Sequence, residues 1–245
     1  MTTVCITQAR LTSSRLPNKV LMPITEQHNS LSLLHSRLKR SRLLDSHIYA
    51  IPKNSSNLKL QEWLKEKNYN YIVGPEHDLI ERHLISCPHE TNIIVRITSD
   101  CPLVDPNWVD VSVSLFKSLD YDYISTYTPA STSKFCNGSD IEVFSFETLR
   151  RLASDFHDSN DREHVTFPLW DGRAATSFMT LNALMPEPIN DVRITLDYEE
   201  DLTVLRILGK HINLETAGLS DIVEAYRSLS LSKLNGHFEF DAGWN

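Results

Sequence analysis

With 245 residues, 41% of them hydrophobic and 23% charged, the chain suffices for one large globular domain of ordinary composition. Its net charge of −8 excludes bulk nucleic-acid binding, which needs a basic surface, but leaves room for a local cationic cluster that holds a small anion. The four cysteines show neither C-x-x-C spacing nor a paired pattern, so no zinc site or disulfide framework is indicated.

No apolar run approaches the ~18 residues of a membrane span and residues 1–20 lack a signal-peptide core, so a cytoplasmic protein without membrane partners is expected. In chain order, strands are expected at 3–8, 47–51, 70–73, 92–97 and 122–126. Helices between them are expected at 30–43, 57–67, 77–86 and 106–119. This alternation reads as βαβ units in a mainly parallel sheet with right-handed crossovers. Asp105-Pro106 is a helix start, with aspartate as cap and proline in the first turn. After residue 127 the rhythm changes. A polar loop at 128–133 precedes a strand at 139–144, a helix from Ser145, a helix at 161–171, strands at 175–182 and 191–195, and helices at 199–211 and 218–228. The expectation is one α/β domain over 1–245, in which 127–182 adds antiparallel strands and closes over the site.

The first strand ends in a loop carrying Arg10, Arg15 and Lys19, with hydroxyls at Thr12, Ser13 and Ser14 and no acid. Such a loop at a buried strand end is where α/β proteins hold phosphate. Two later strands also end in aspartates, Asp100 and Asp197. A carboxylate there is placed to hold Mg²⁺, which takes few protein oxygens and completes its shell with substrate phosphates. The same two residues also read as caps, Asp100 of the turn before Pro102 and Asp197 of helix 199–211. Strand alternation puts Asp140 and Glu142 on one face, where like charges need a shared cation or hydrogen-bond donors. Asp161-Arg162-Glu163-His164 reads as a capped, salt-bridged segment, with His164 able to act as a base near neutral pH. Arg82 stands four residues after Asp78, a spacing that favours an ion pair along a helix.

These segments, in order, resemble the SpsF-like cytidylyltransferases, relatives of the enzymes that make CMP-sialic acid and CMP-3-deoxy-manno-octulosonate. The matching blocks are QAR-x-x-S-x-R-L-P-x-K at 8–19, G-x-x-x-D-x-x-x-R at 74–82 and R-I-T-x-D-C-P-L-x-D-P at 96–106. G-x-D-I-E-V-F at 138–144, D-R-E-H-V-T at 161–166 and R-x-T-L-D-x-x-x-D-L at 193–202 complete the set. Together they span residues 4–202. The chain departs from the pattern at Thr12 and Asn18, near and at positions where the family often has glycine.

The resemblance implies a Rossmann-like three-layer α/β/α sandwich of the nucleotide-diphospho-sugar transferase type, mostly parallel with an antiparallel excursion. It implies transfer of CMP from CTP to a small-molecule acceptor, an acidic, nonulosonate-like sugar for surface polysaccharide, with release of pyrophosphate. Gln8, Ala9, Arg10, Ser13, Arg15, Lys19, Arg82, Arg96 and Asp100 are then expected beside the nucleotide, with Arg10, Lys19 and Asp100 catalytic. Mg²⁺ is expected on Asp100 and Asp197. Asp140, Glu142, Arg162 and His164 are expected on the acceptor side, and a homodimer through 127–182. A sugar phosphate, polyol phosphate or phosphonate is an alternative acceptor. Two other classes are a glycosyltransferase of the same fold and a non-catalytic nucleotide binder. The first would use an Asp-x-Asp motif, spelled here by Asp120-Tyr121-Asp122 at the start of a strand, away from the ligand-holding ends. The altered loop at Thr12 and Asn18 favours the second.

Overall fold

Over residues 1–239, which the computed structural model describes, one sheet is built from β1 (Thr2–Gln8), β2 (Ser46–Pro52), β3 (Tyr71–Gly74), β4 (Thr91–Thr98), β5 (Tyr123–Ser125), β6 (Glu142–Ser145) and β7 (Phe178–Thr180). Its order is β3-β2-β1-β4-β6-β5-β7. All neighbouring pairs are parallel except those of β6, which runs antiparallel to both β4 and β5. The mostly parallel sheet with one antiparallel excursion is the expected architecture.

The helices are α1 (Ser30–Leu38), α2 (Leu58–Glu66), α3 (Leu79–Ser86), α4 (Pro106–Ser118), α5 (Phe146–Asp155), α6 (Ser159–His164), α7 (Phe167–Trp170), α8 (Glu199–His211), α9 (Leu219–Ser228) and α10 (Ser232–Asn235). Strand alternation divides them into two layers. Val4, Ile6 and Ile94 point to the face covered by Ile80 of α3 and Leu149 and Leu152 of α5. Cys5, Val95 and Ile97 point to the opposite face, under Leu34 of α1, Val109 of α4, Leu205 of α8 and Ile222 of α9. Both faces of β1 and β4 are thus buried, which is why these strands read as unbroken apolar runs. Asp105 caps α4 as expected, accepting from the Asn107 N–H at 2.8 Å, and Ser145 caps α5, accepting from the Thr148 N–H at 2.9 Å. No helix of the described residues is long and apolar enough to cross a membrane.

The second half departs from expectation in four places. The strand expected at 139–144 begins at Glu142, because the Thr126 side chain replaces the ladder before it. Its hydroxyl donates to the Ser139 carbonyl at 2.8 Å and accepts from the Ile141 N–H at 2.9 Å. The strand expected at 175–182 shortens to β7. The segment 191–195 is not a strand. Arg193 forms a lone bridge with Asn137, and Gly138 beside it has φ 102°, with the backbone N of Thr195 only 2.4 Å from where a Cβ would stand. Only glycine serves both demands. The helix expected over 161–171 breaks at Val165-Thr166, since Pro168 inside one helix would remove a hydrogen bond and clash with the preceding turn.

Candidate active site

β1 and β4 run side by side, and their carboxyl ends open into a cleft of about 460 Å³. The loop after β1 is folded tightly against it. The Leu11 N–H donates to Asn57 Oδ1 at 2.8 Å, and the Asn18 N–H returns to the Leu11 carbonyl at 3.0 Å. Asn18 takes φ 61°, ψ 12°, the left-handed conformation that glycine adopts freely and asparagine tolerates better than other residues. Asn18 therefore meets a backbone demand that glycine would also meet.

That turn delivers Lys19 into the cleft floor. Its Nζ donates to Asp197 Oδ1 at 2.8 Å and to Asp100 Oδ2 at 3.2 Å, with the Lys19 side chain only 9% exposed. Arg15 Nη2 reaches the same Asp197 oxygen at 2.9 Å, and Arg193 Nη2 lies 3.6 Å from Asp197 Oδ2. Burial alone would push the Lys19 ammonium down, but the two carboxylates outweigh it and hold it above its ordinary value. Burial would likewise raise Asp100. The Lys19 charge and a hydrogen bond from Thr98 overcome this and keep its carboxyl below the usual range. Asp197 does not cap α8. Asp201 reaches back instead, accepting from the N–H groups of Asp197 at 2.9 Å and Tyr198 at 3.0 Å, while Arg193 binds it through Nε and Nη2 at 2.8 and 2.9 Å. The Asp197 carboxylate is left to face the cleft.

Two carboxylates converging on one ammonium are a donor set that fits a divalent cation with few protein oxygens. Among the described residues no group of three His, Cys, Asp or Glu side chains gathers for a metal, so phosphate and water oxygens would complete the shell.

Of the residues expected beside the nucleotide, Gln8, Ala9, Arg10 and Ser13 all line the cleft. Arg10 is exposed and has no carboxylate partner among the described residues. Gln8 Oε1 accepts from Arg96 Nη2 at 3.0 Å and Nε at 3.3 Å. Arg82 also lines the cleft but does not pair with Asp78. Its Nη1 donates to the Pro75 carbonyl at 2.9 Å, and burial lowers its guanidinium to about 10. Asp78 instead caps α3, accepting from the Glu81 N–H at 2.9 Å.

The four residues expected on the acceptor side are placed differently. Arg162 does not line the cleft. Its guanidinium lies against the Ala153 carbonyl at 2.9 Å, His157 Nδ1 at 3.3 Å and Asp78 at 3.4 Å, tying α6 to α5 and α3. Glu142 borders the cleft, but its carboxylate is paired with Arg96 and accepts from Tyr123 Oη and Thr166 Oγ1, each at 2.7 Å. Asp140 and His164 do face the cleft. Burial, and then the charges of Asp100 and Glu142, push the Asp140 carboxyl well above the ordinary carboxylate range. His164 stacks on Phe167 at 4.4 Å between ring centres, and burial lowers its imidazole. Tyr127, Thr128, Asn137 and Arg193 also line the cleft without having been singled out from sequence. Only Arg193 left a signal, as the first residue of its block.

No family model matches the chain. An uncharacterized protein of Methanocaldococcus jannaschii is 29% identical over 227 residues, covering 91% of this chain and 90% of that protein. The spore coat polysaccharide biosynthesis protein SpsF of Bacillus subtilis is 24% identical over 210 residues, covering 83% and 84%. A cytidylyltransferase from Leptospira borgpetersenii superposes with a TM-score of 0.88 at 25% identity, over 98% of this chain and 99% of that one. The CMP:2-keto-3-deoxy-manno-octonic acid synthetase, solved with CTP, shares the fold at a TM-score of 0.64 and 13% identity, over 86% and 99%. The resemblance to the SpsF-like cytidylyltransferases holds in sequence and in fold.

Proposed function

We propose that this chain is a cytidylyltransferase that moves CMP from CTP to a sugar acceptor. The carrying observation is Lys19 held between Asp100 and Asp197 at the end of β4, beside Arg15 and Arg10. An ammonium has three N–H donors, and the two carboxylates take two, which leaves one for a phosphate oxygen. Arg10 and Arg15 add charge on the same side. In the reaction an acceptor oxygen bonds to the α-phosphorus, the bond to the bridging oxygen breaks, and pyrophosphate leaves. The acceptor proton passes to a base or to water. The protein's part is positioning and charge neutralisation. Mg²⁺ on Asp100 and Asp197 would neutralise developing phosphate charge.

An acidic, nonulosonate-like acceptor for surface polysaccharide follows from the family resemblance, and SpsF of Bacillus subtilis is named for spore coat polysaccharide biosynthesis. The acids on the acceptor side do not oppose it. Glu142 is neutralised by Arg96, and burial with the charges of Asp100 and Glu142 raises the Asp140 carboxyl, which eases the approach of an anion. A homodimer through 127–182 belongs to the same reading. It is supported by β7 standing at the sheet edge with Phe178 39% exposed.

The test is pyrophosphate release with Mg²⁺ across the four nucleoside triphosphates and a panel of acidic sugars, sugar phosphates and phosphonates. Release with CTP and one acceptor, abolished by Asp100→Ala, is expected. No release with any pair despite measurable CTP binding would turn the reading to a non-catalytic nucleotide binder.

A further inference from the structure

Glu142 carries no exposed charge for a substrate, yet it holds three side chains from other segments at the border of the cleft. Its side chain is only 5% exposed. Oε2 is paired with Arg96, which stands directly opposite it in the antiparallel β4–β6 register. Oε1 accepts from Tyr123 Oη and from Thr166 Oγ1 at 2.7 Å. Arg96 in turn holds Gln8, the last residue of β1.

Thr166 ends a strained turn. Val165 has φ 59° and ψ −61°, and the Thr166 N–H donates to the His164 carbonyl at 2.6 Å. This is the γ-turn of the rare, strained hand, with a β-branched residue at its centre. Strain of this kind persists only where the surroundings over-determine it. Two holds do so here. The Val165 side chain is fully buried in the core cluster that also holds Leu79, Ile80 and Leu169, and Thr166 is tied to Glu142. The turn places His164 at the cleft and stacks it on Phe167, the first residue of α7.

We propose that Glu142 is a positioning residue that fixes both halves of the cleft through one buried carboxylate. On one side it aims Arg96 and Gln8. On the other, through Thr166, it fixes the strained turn that presents His164. Its nucleotide arm rests on the cytidylyltransferase reading, whereas its turn arm needs no substrate.

The turn arm is tested on the full chain by proton NMR at fixed pH. The His164 ring signals are assigned by their loss in His164→Gln. Stacking on Phe167 shifts them upfield in the wild type. Thr166→Val keeps the shape but removes the hydroxyl, and is expected to abolish that upfield shift in a folded protein. Thr166→Ser restores the hydroxyl and is expected to return it. A folded Thr166→Val protein with His164 signals unchanged from wild type would overturn the proposal. So would Thr166→Ser behaving like Thr166→Val. Glu142→Gln is expected to move the same signals and to weaken Mg-CTP binding by about tenfold, measured calorimetrically. Wild-type affinity in that variant would overturn the nucleotide arm. Should Glu142→Gln fail to fold, the Thr166 pair decides. A wild-type protein that binds no CTP would sink the cytidylyltransferase reading and leave the turn arm standing on the NMR result.

Discussion

Lys19 sets the electrostatics of the site because two acids converge on it, Asp100 from the turn after β4 and Asp197 from the segment before α8. Removing it would leave Asp100 and Asp197 facing each other without their common cation. Breaking a buried pair costs several kcal/mol, and partial exposure of Asp100 reduces that. Lys19→Met is therefore expected to lose on the order of 1–3 kcal/mol in urea unfolding at pH 7. Millimolar Mg²⁺ is expected to raise its midpoint more than that of the wild type, because the two carboxylates are released to take a cation. Equal Mg²⁺ effects on both proteins would mean that the carboxylates do not share a cation site. At this scale the sequence was informative where a residue lies in the segment that follows an apolar run. Arg10, Lys19, Asp100 and Asp197 all line the cleft. It was uninformative where the task depends on a partner distant in the chain. Arg96 meets Glu142 only because β6 runs antiparallel to β4, and no spacing announces that. Arg162 lies in a block of the family pattern, yet the orientation of α6 turns it toward Asp78 and Ala153.

At the scale of elements, α1 is locked onto β2 by a ring cluster. His35 lies against Tyr69 with ring centres 3.7 Å apart and against His47 at 5.2 Å, and His47 bonds the Thr7 hydroxyl at 2.8 Å. The Nδ1 atoms of His35 and His47 are buried without hydrogen-bond partners. Burial lowers His35 to about 4 and His47 to about 3, and His83 in α3 to about 3. In the unfolded chain all three titrate near 6.5. The folded state therefore holds them neutral where the unfolded state is already protonated. Their contribution is complete above about pH 6.5 and is lost as pH falls toward 4 and 3. Urea unfolding at pH 7.5 and pH 5 is expected to show a loss on the order of 1 kcal/mol per histidine at the lower pH, less for the partly exposed His35. His35→Phe keeps the stack and is expected to flatten the slope. A variant following the wild-type pH curve would place the acid sensitivity elsewhere. The elements themselves were legible where the apolar period is clear, as in β1 and α8, and where period and cap agree, as in α4. They were misjudged where side chains replace the ladder, as Thr126 does before β6. The break at Pro168 had a local signal, since proline does not sit inside a continuous helix. The strained hand of the Val165 turn had none, because it depends on burial and on Glu142.

At the scale of the whole molecule, the net charge of −8 and a cleft lined by Arg10, Arg15, Lys19, Arg82, Arg96 and Arg193 are compatible, because the sheet gathers these cations at one edge. The same topology separates the two motifs that could claim a metal. Asp100 and Asp197 stand at the cleft. Asp120 and Asp122 precede β5, outside the cleft lining, and Asp122 accepts from the Ser177 N–H and hydroxyl, each at 3.0 Å. A glycosyltransferase using Asp-x-Asp would need that pair at its nucleotide, whereas a nucleotidyltransferase needs Asp100 and Asp197. Calorimetric titration with Mg-CTP separates the two. Asp122→Asn is expected to bind as the wild type does, and Asp197→Asn to lose at least about tenfold, or about 1.4 kcal/mol. The reverse pattern would relocate the metal to the far end of β5 and replace nucleotidyl transfer with sugar transfer. The expected pattern would leave the sheet's carboxyl edge as the place where this chain meets its nucleotide, since Asp100, Asp197 and the buried Lys19 stand together there.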